Sequence, residues 1–177
     1  PKAFYKDSMI GVPGLFKCWL KKNVGVVNAI GTGVADDKVV YSYVNKMITY
    51  YLGEQPILDQ VETYLCHDET HKKYVIENIS KLVVKPANAS GGYGIMIGPK
   101  APKKEIEETI SKIKQNPREY IAQPLEILST APTITEHDIE PRHLDLRPFI
   151  LTGKTNYVTT GGLTRVALRK GSTIVNS

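Results

Sequence analysis

The sequence predicts an α+β fold in which antiparallel sheets are packed with helices. Helical patterns fall at about Asp37–Leu52, Asp68–Asn78 and Pro102–Asn116, whereas short apolar runs typical of strands dominate after Pro117. A strand, a glycine loop and a second strand follow one another between residues 81 and 97. Each of these elements has a local cause in the sequence.

The first segment pairs a strand with a helix. The β-branched run Asn23–Ile30 predicts a strand, which breaks at Gly31–Gly33. Asp36 is then the predicted N-cap of a helix from about Asp37 to Leu52. Its apolar residues recur at helical spacing, so we expect one buried face, formed by Val40, Val44, Met47, Ile48 and Tyr51.

The middle of the chain contains the tightest glycine cluster. Lys81–Pro86 (KLVVKP) predicts a strand that proline ends. The cluster Ser90–Gly94 (SGGYG) leads into Ile95–Ile97, a second strand. Pro102 suits the first turn of a helix that Pro117 ends, and its apolar face should comprise Ile106, Ile110 and Ile113.

Short apolar runs predict six strands in the last third of the chain: Tyr120–Gln123, Leu125–Leu128, Leu144–Leu151, Tyr157–Thr160, Leu163–Leu168 and Thr173–Val175. The last run continues to the terminus, and the chain begins with proline rather than methionine. We therefore expect a fragment of a larger protein.

Composition restricts the partners. The 41% hydrophobic and 23% charged fractions are ordinary for globular proteins, and no stretch approaches the roughly 20 apolar residues of a membrane span. Cys18 and Cys66 lie in different contexts, which fits free thiols in the cytoplasm. The net charge of +5 is compatible with attraction of nucleic acid, but the lysines are dispersed and no aromatic and arginine platform accompanies them. We expect neither a membrane nor a nucleic-acid partner.

The glycine cluster, together with the lysine before it, predicts a phosphate site. Missing side chains let backbone N–H groups approach an anion closely. P-loops and Rossmann loops open a helix, whereas here Lys85 comes first and a strand follows. Lys85 and the loop amides are therefore placed to hold a polyphosphate from two sides.

Six ordered motifs extend this prediction: GVADDK (Gly33–Lys38), LVVKPANASGGYGIMIGP (Leu82–Pro99), YIAQP (Tyr120–Pro124), STAPT (Ser129–Thr133), PRHLDLRPF (Pro141–Phe149) and GGLTRVAL (Gly161–Leu168). With them the chain resembles the circularly permuted bacterial branch of the ATP-grasp superfamily, related to glutathionylspermidine synthetase. The resemblance implies an ATP-grasp-like fold with a nucleotide cleft. It also implies part of an ATP-dependent carboxylate–amine ligase that acts through an acyl phosphate. The alternative is a catalytically inactive nucleotide-binding or protein-interaction module.

The resemblance also assigns residues. Lys38 and Lys85 would contact ATP phosphates beneath a flap formed by Ser90, Gly91, Gly92, Tyr93 and Gly94. Gln123, in the hinge, would read the adenine amino group. Asp145 and Arg147 stand two apart on a strand, so they share a face as an orienting acid and a phosphate or carboxylate contact. Arg165 would stabilise the acyl phosphate.

Structural alternatives stay open for these residues. Lys38 and Lys85 can be solvated, and Gln123 can satisfy a buried backbone group. Asp145 can form an ordinary ion pair with Arg147, and Arg165 can be a surface arginine. His67 and His71, four apart beside Cys66, have a spacing that metals sometimes use, but a surface helix explains them better.

The resemblance divides the chain into three parts. Residues 1–60 would be a strand and helix segment of the core carrying the first lysine. Residues 61–127 would be the small subdomain with flap and hinge, and residues 128–177 the start of the large subdomain. We expect ATP and Mg²⁺ as cofactors, with the metal ligands mostly outside this chain because the acidic residues and asparagine that hold Mg²⁺ are not evident. The expected substrates are a small carboxylate and an amine or peptide.

Overall fold

The computed structural model describes residues 6–7, 11–27, 31–89, 91–136, 138–173 and 175. In these residues seven strands form two antiparallel sheets: β1 (Tyr64–Leu65), β2 (Leu82–Pro86), β3 (Met96–Ile97), β4 (Tyr120–Pro124), β5 (Thr130–Ile134), β6 (Ile139–Thr152) and β7 (Asn156–Val166). The α-helices are α1 (Leu15–Leu20), α2 (Lys38–Tyr41), α3 (Val44–Leu52), α4 (Glu69–Asn78) and α5 (Lys103–Gln115). The predicted mixture of helices and antiparallel sheets is confirmed.

The first sheet has the strand order β1-β4-β2-β3 and supports the main core. Side chains from α4 and α5 pack with those of the sheet, and burying such apolar surface is the dominant favourable contribution to folding. The buried cluster comprises Cys66, Val75, Ile79, Leu82, Val84, Met96, Ile113 and Ala122. Ile106 and Ile110 pack against it, so the predicted apolar face of α5 is confirmed.

The strand, glycine loop and strand unit is confirmed as an antiparallel pair. Val83 faces Ile97 and Val84 faces Met96, with the glycine loop between β2 and β3. Both predicted strands begin one residue late, because Ile79–Lys81 forms a 3₁₀ turn and Ile95 remains in the loop. Pro102 is the N-cap of α5, which begins at Lys103, one residue after the predicted start.

The predicted helix over Asp37–Leu52 is interrupted, and its N-cap is Asp37 rather than Asp36. The Asp37 carboxylate accepts a hydrogen bond from the Val39 amide at 2.7 Å. The Ser42 hydroxyl donates to the Val39 carbonyl at 2.7 Å, and the Ser42 amide bonds the same carbonyl. This tight turn separates α2 from α3 because a serine side chain competes for helical carbonyls.

The predicted buried face of this helical segment is wrong for the described structure. Val40 and Ile48 are half-buried, whereas Val44, Met47 and Tyr51 are exposed. The helical period is present, but the described residues offer no apolar partner that buries the face fully.

Residues 23–27 do not form the predicted strand, and residues 28–30 lie outside the described ranges. Lys22 has φ 59°, and the Asn23 amide donates to the Cys18 carbonyl at 2.9 Å. The chain here turns to cap the end of α1 instead of pairing with a sheet.

The second sheet has the order β5-β6-β7. The two strands predicted at residues 157–160 and 163–168 form one continuous strand, β7, which passes through Gly161 and Gly162. A Cβ at Gly162 would lie 2.5 Å from the Arg147 carbonyl oxygen, so the close approach of β6 requires glycine there. The strand β5 was not predicted, since it contains Pro132, but an edge strand tolerates proline.

The predicted strand Leu125–Leu128 is a connection between the two sheets. His143 Nδ1 contacts the Leu128 carbonyl oxygen at 2.7 Å, so this segment is held by a side chain rather than a strand ladder. Thr173 and Val175 are not in a strand, and residue 174 is outside the described ranges. Across the described ranges, no helix combines the length and apolarity that a membrane crossing requires.

Candidate functional site

A pocket of about 380 Å³ lies between the first sheet and the end of β7. Its walls include four residues singled out from the sequence: Lys85, Gly92, Gln123 and Arg165. Lys85 and Gln123 come from neighbouring strands of one sheet, whereas Arg165 comes from the other sheet. The fold therefore brings together side chains that are far apart in sequence.

Strand register places Lys85 beside Gln123. Gln123 pairs with Val83, so Lys85, two residues further along β2, lies on the same face as a diagonal neighbour. The Lys85 ammonium donates a hydrogen bond to Gln123 Oε1 at 2.6 Å. This contact needs both the antiparallel pairing and the length of the lysine side chain.

Lys85 is a half-buried cation with a positive neighbour. Burial lowers the pKa of the Lys85 ammonium, and the charge of Lys38 lowers it further. Its hydrogen-bond partner is the neutral amide of Gln123. Among the described residues, neither Lys38 nor Lys85 forms an ion pair with a carboxylate. The site thus combines two close ammonium groups with little neutralisation, which favours an anion.

Lys38 holds the start of the glycine loop. Its ammonium donates to the Ala89 carbonyl at 2.6 Å and approaches the Ala87 carbonyl at 3.4 Å. Its backbone amide donates to the same Ala87 carbonyl at 2.9 Å. Lys38 is not among the residues that line the pocket, although it lies close enough to Lys85 to affect its pKa.

The glycine loop adopts backbone conformations that favour glycine. Gly91, Gly92 and Gly94 have φ values of 69°, 78° and 72°. A Cβ at Gly94 would also approach Pro86 Cγ to 2.9 Å. Tyr93 is 81% exposed, and Ser90 lies outside the described residues. The loop therefore presents bare backbone beside Lys85, at Gly92 in the pocket wall.

The Asp145 carboxylate pairs with Arg165 rather than with Arg147. Asp145 and Arg165 are direct partners across β6 and β7, and Arg165 Nε lies 3.0 and 3.1 Å from the two carboxylate oxygens. A further contact joins Arg165 Nη2 to Asp145 Oδ2. This hydrogen bonding lowers the pKa of the Asp145 carboxyl and raises the pKa of the Arg165 guanidinium. Arg165 is thereby held in one orientation at the pocket wall.

Arg147 lies on the same strand face as Asp145 but does not line the pocket. It is exposed, and its charge contributes to lowering the pKa of Asp145. The shared face was expected from the spacing. The partner of Asp145 was not, because pairing of β6 with β7 is a long-range property.

The described residues do not supply a metal site. They contain no group of three or more histidine, cysteine, aspartate and glutamate side chains placed to hold an ion. His71 Nδ1 accepts a hydrogen bond from the Leu65 amide at 3.1 Å, and burial raises the pKa of the Cys66 thiol to about 11. Neither group is thus available as a ligand in this state. The residues described here likewise do not fit a complete Mg²⁺ site.

Two residues at the site were missed by sequence reasoning. Thr63 Oγ1 accepts a hydrogen bond from Gln123 Nε2 at 2.8 Å, and Glu126 lines the pocket just beyond β4. Thr63 precedes β1, whose register sets Tyr64 against Ala122 and so brings Thr63 opposite Gln123. A two-residue strand gives no periodic signal, so nothing local marks this position.

Comparison with known proteins adds an independent finding. The family model for circularly permuted ATP-grasp type 2 proteins matches residues 1–167. Uncharacterized proteins of Synechocystis and Mycobacterium tuberculosis are 53% and 48% identical to this chain over 178 residues, covering 100% of it in both cases. The chain spans 37% and 32% of their lengths, about a third.

A Frankia casuarinae protein provisionally named glutamate–cysteine ligase 2-2 is 47% identical over 168 residues. That alignment covers 95% of this chain and 19% of the Frankia protein. The family model extends over nearly the whole chain, through the motifs that carry Lys38, Lys85, Gln123, Asp145, Arg147 and Arg165. The chain therefore belongs to the circularly permuted ATP-grasp type 2 family.

Proposed function

We propose that this chain provides the ATP-binding part of an ATP-dependent carboxylate–amine ligase in the full-length protein. The observation that carries the proposal is the pocket where the Lys85 ammonium, the bare backbone of Gly92 and the Arg165 guanidinium lie on the walls. Family membership and the ligase name of the Frankia relative support the same reaction class.

Electrostatics supports a polyphosphate as the ligand. Lys38 and Lys85 are close, and neither forms an ion pair with a carboxylate among the described residues. Triphosphate oxygens would relieve the repulsion between the two ammonium groups, and loop amides would add hydrogen bonds. The flap in this proposal comprises Ser90, Gly91, Gly92, Tyr93 and Gly94, closing over the phosphates.

The adenine would occupy the side of the pocket formed by β4. Gln123 Oε1 already accepts from Lys85, but a carbonyl oxygen has two lone pairs. The second is free in this proposal to accept from the adenine amino group. The pocket also contains apolar walls at Val61, Ile97 and Leu125, which suit the faces of a purine.

The proposed reaction has two steps. A carboxylate oxygen of the substrate attacks the γ-phosphorus of ATP, and ADP leaves with the electron pair of the broken P–O bond. The amine of the second substrate then attacks the acyl carbon, losing a proton, and inorganic phosphate leaves. Lys38 and Lys85 would stabilise the charge that shifts during phosphoryl transfer.

Arg165 and Arg147 are the proposed catalytic arginines. Arg165, oriented by Asp145, would contact the acyl phosphate from the pocket wall, because a guanidinium binds phosphate oxygens in pairs. Arg147, exposed on the same strand face as Asp145, would hold the incoming carboxylate. Mg²⁺, when bound, would supply positive charge that offsets the charge of the phosphates, and its ligands would come mainly from outside this chain.

The three-part division remains part of the proposal. Residues 1–60 would contribute Lys38, residues 61–127 the flap and hinge, and residues 128–177 the arginine wall. ATP with a small carboxylate and an amine or peptide would be the ligands, in the cytoplasm, without a nucleic-acid or membrane partner.

Nucleotide titration of the full-length protein tests this function. We expect Lys85→Ala to weaken ATP binding by at least about tenfold and Lys38→Ala by a similar factor, since each removes a charged phosphate contact. Lys81→Ala, at an exposed lysine just before β2, is the matched control and should bind as the wild type does.

Unchanged ATP affinity in both Lys85→Ala and Lys38→Ala would refute the site. Binding of ATP without release of ADP, when candidate carboxylates and amines are supplied with Mg²⁺, would instead favour an inactive nucleotide-binding module.

A further inference from the structure

A directional chain of hydrogen bonds runs from Lys85, in the pocket wall, through Gln123 to the segment that precedes β1. The Lys85 ammonium donates to Gln123 Oε1 at 2.6 Å, and Gln123 Nε2 donates to Thr63 Oγ1 at 2.8 Å. The Thr63 hydroxyl in turn donates to the Val61 carbonyl at 2.9 Å. The chain ends on a backbone acceptor, so every link has one donor and one acceptor.

The chemistry of each group fixes the direction. An ammonium can only donate, so the amide oxygen of Gln123 must face Lys85 and the amide nitrogen must face Thr63. Because its proton goes to the Val61 carbonyl, the Thr63 hydroxyl presents a lone pair to that nitrogen. Gln123 as a residue is only 7% exposed. A residue without a side-chain acceptor at position 63 would therefore leave the amide nitrogen of Gln123 without this partner in a buried position.

We propose that Thr63 is a positioning residue that fixes the Lys85 ammonium at the pocket wall through the amide of Gln123. The consequence for ATP rests on the function proposed above, but the hydrogen-bond chain itself does not. Thr63 does not line the pocket, so its effect reaches the ligand only through the other two side chains.

Consecutive hydrogen bonds strengthen one another, because a group that donates one hydrogen bond is polarised and becomes a better acceptor for the next. Gln123 Oε1 is a better acceptor when its amide nitrogen donates to Thr63. A stronger acceptor stabilises the charged form of Lys85 and opposes the effects of burial and of Lys38, which lower its pKa. Among the described residues that line the pocket, the other charged groups are Glu126 and Arg165. Both stay in place when position 63 is changed.

The test measures Lys85 directly in the ligand-free full-length protein. Competitive acetylation of lysines across a pH series, quantified at Lys85 by peptide mass spectrometry, gives the pKa of its ammonium. We expect Thr63→Val to lower that pKa by about half a pH unit, which corresponds to about threefold in the protonation equilibrium. Thr63→Ser keeps the hydroxyl and should restore the wild-type value.

Two further variants serve as controls for the pKa of Lys85: one should raise it, and the other should leave it unchanged. Gln123→Glu places a carboxylate beside Lys85 and should raise its pKa by about one unit. Thr70→Val, at an exposed threonine in the first turn of α4, makes the same chemical change away from the chain and should leave Lys85 unaffected. Thr63→Ala removes the hydroxyl with less bulk and replaces Thr63→Val if the latter does not fold.

ATP titration of the same variants connects the chain to binding. We expect Thr63→Val to weaken ATP binding about fivefold and Thr63→Ser to bind within about twofold of the wild type. An unmoved Lys85 pKa in Thr63→Val and Thr63→Ala overturns the inference. A lowered pKa with wild-type ATP affinity overturns its role in binding. A lowered pKa in a protein whose wild type binds no ATP refutes the proposed function and supports the positioning by Thr63.

Discussion

The two sheets of this protein are stabilised in different ways. Around the first sheet, eight buried residues form one cluster with side chains of α4 and α5. The second sheet has long, regular strands, but many of its large apolar side chains are exposed: Leu146, Phe149, Ile150, Leu151, Tyr157, Val158 and Leu163. Its geometry depends mainly on strand pairing and on the ion pairs of Asp145 and Glu140.

This contrast bears on the site, because the pocket takes one wall from each sheet. Lys85 and Gln123 extend from strands that contribute Leu82, Val84 and Ala122 to the buried core. Arg165 extends from a strand pair with little burial and is oriented by Asp145. A site built in this way has one wall fixed by packing and another fixed by pairing, which has lower local stability.

Truncation of a core side chain should give the largest difference in local stability between the two sheets. Ile113 is fully buried, whereas Ile150 is 60% exposed. We expect Ile113→Ala to reduce the free energy of local opening at β2 and β4 by about 2–4 kcal/mol, because it leaves a cavity. Ile150→Ala should change opening of β6 by no more than about 0.5 kcal/mol. Amide hydrogen exchange in the full-length protein measures both.

If Ile113→Ala and Ile150→Ala lowered the free energy of local opening by similar amounts, the two sheets would not differ in burial as described. Ile150 would then be covered in the full-length protein.

Removal of the Lys38 ammonium should have a smaller effect, confined to the glycine loop. Lys38→Met abolishes the contacts with the Ala89 and Ala87 carbonyls and keeps most of the aliphatic stem. We expect exchange of the amides of residues 91–94 to become about tenfold faster, as charged hydrogen bonds are among the stronger ones. Lys46→Met, on the exposed side of α3, is the control. Equal protection in both variants would show that the loop is held without Lys38.

The smallest expected effect concerns the ion pair of the second sheet. The pKa of Asp145 is lowered in the folded protein, so its stabilising contribution is complete above the ordinary aspartate pKa of about 3.9. The contribution is lost as the pH falls through the lowered value. Asp145→Asn should speed opening of β6 and β7 about twofold to fivefold at neutral pH and remove this acid dependence.

Exchange at the amides of Asp145 and Arg165, followed from neutral to acid pH, measures the effect. Glu140→Gln, in the same strand as Asp145, alters the ion pairs with Arg142 and Lys170 and is the control. If the acid dependence persisted in Asp145→Asn, another group would be responsible.

Much of the first sheet could be predicted because its signals are local. Proline and glycine delimit β2, the glycine loop and α5, and apolar spacing marks the face of α5 that packs on the core. The prediction failed for two different reasons. A local hydrogen bond from the Ser42 hydroxyl interrupts a strong helical pattern. Tertiary context decides at residues 125–128, which cross between the sheets although their composition favours a strand.

Ordered motifs and turn residues can be recognised along the chain, so the family, the glycine loop and its neighbouring lysine follow from them without coordinates. Which side chains meet depends instead on how the strands pair. Thr63 and Gln123 are 60 residues apart, Lys85 and Gln123 are 38 apart, and Asp145 finds Arg165 20 residues away rather than Arg147. Strand register makes these contacts, and register is fixed by burial and turns across the whole sheet rather than by neighbouring residues.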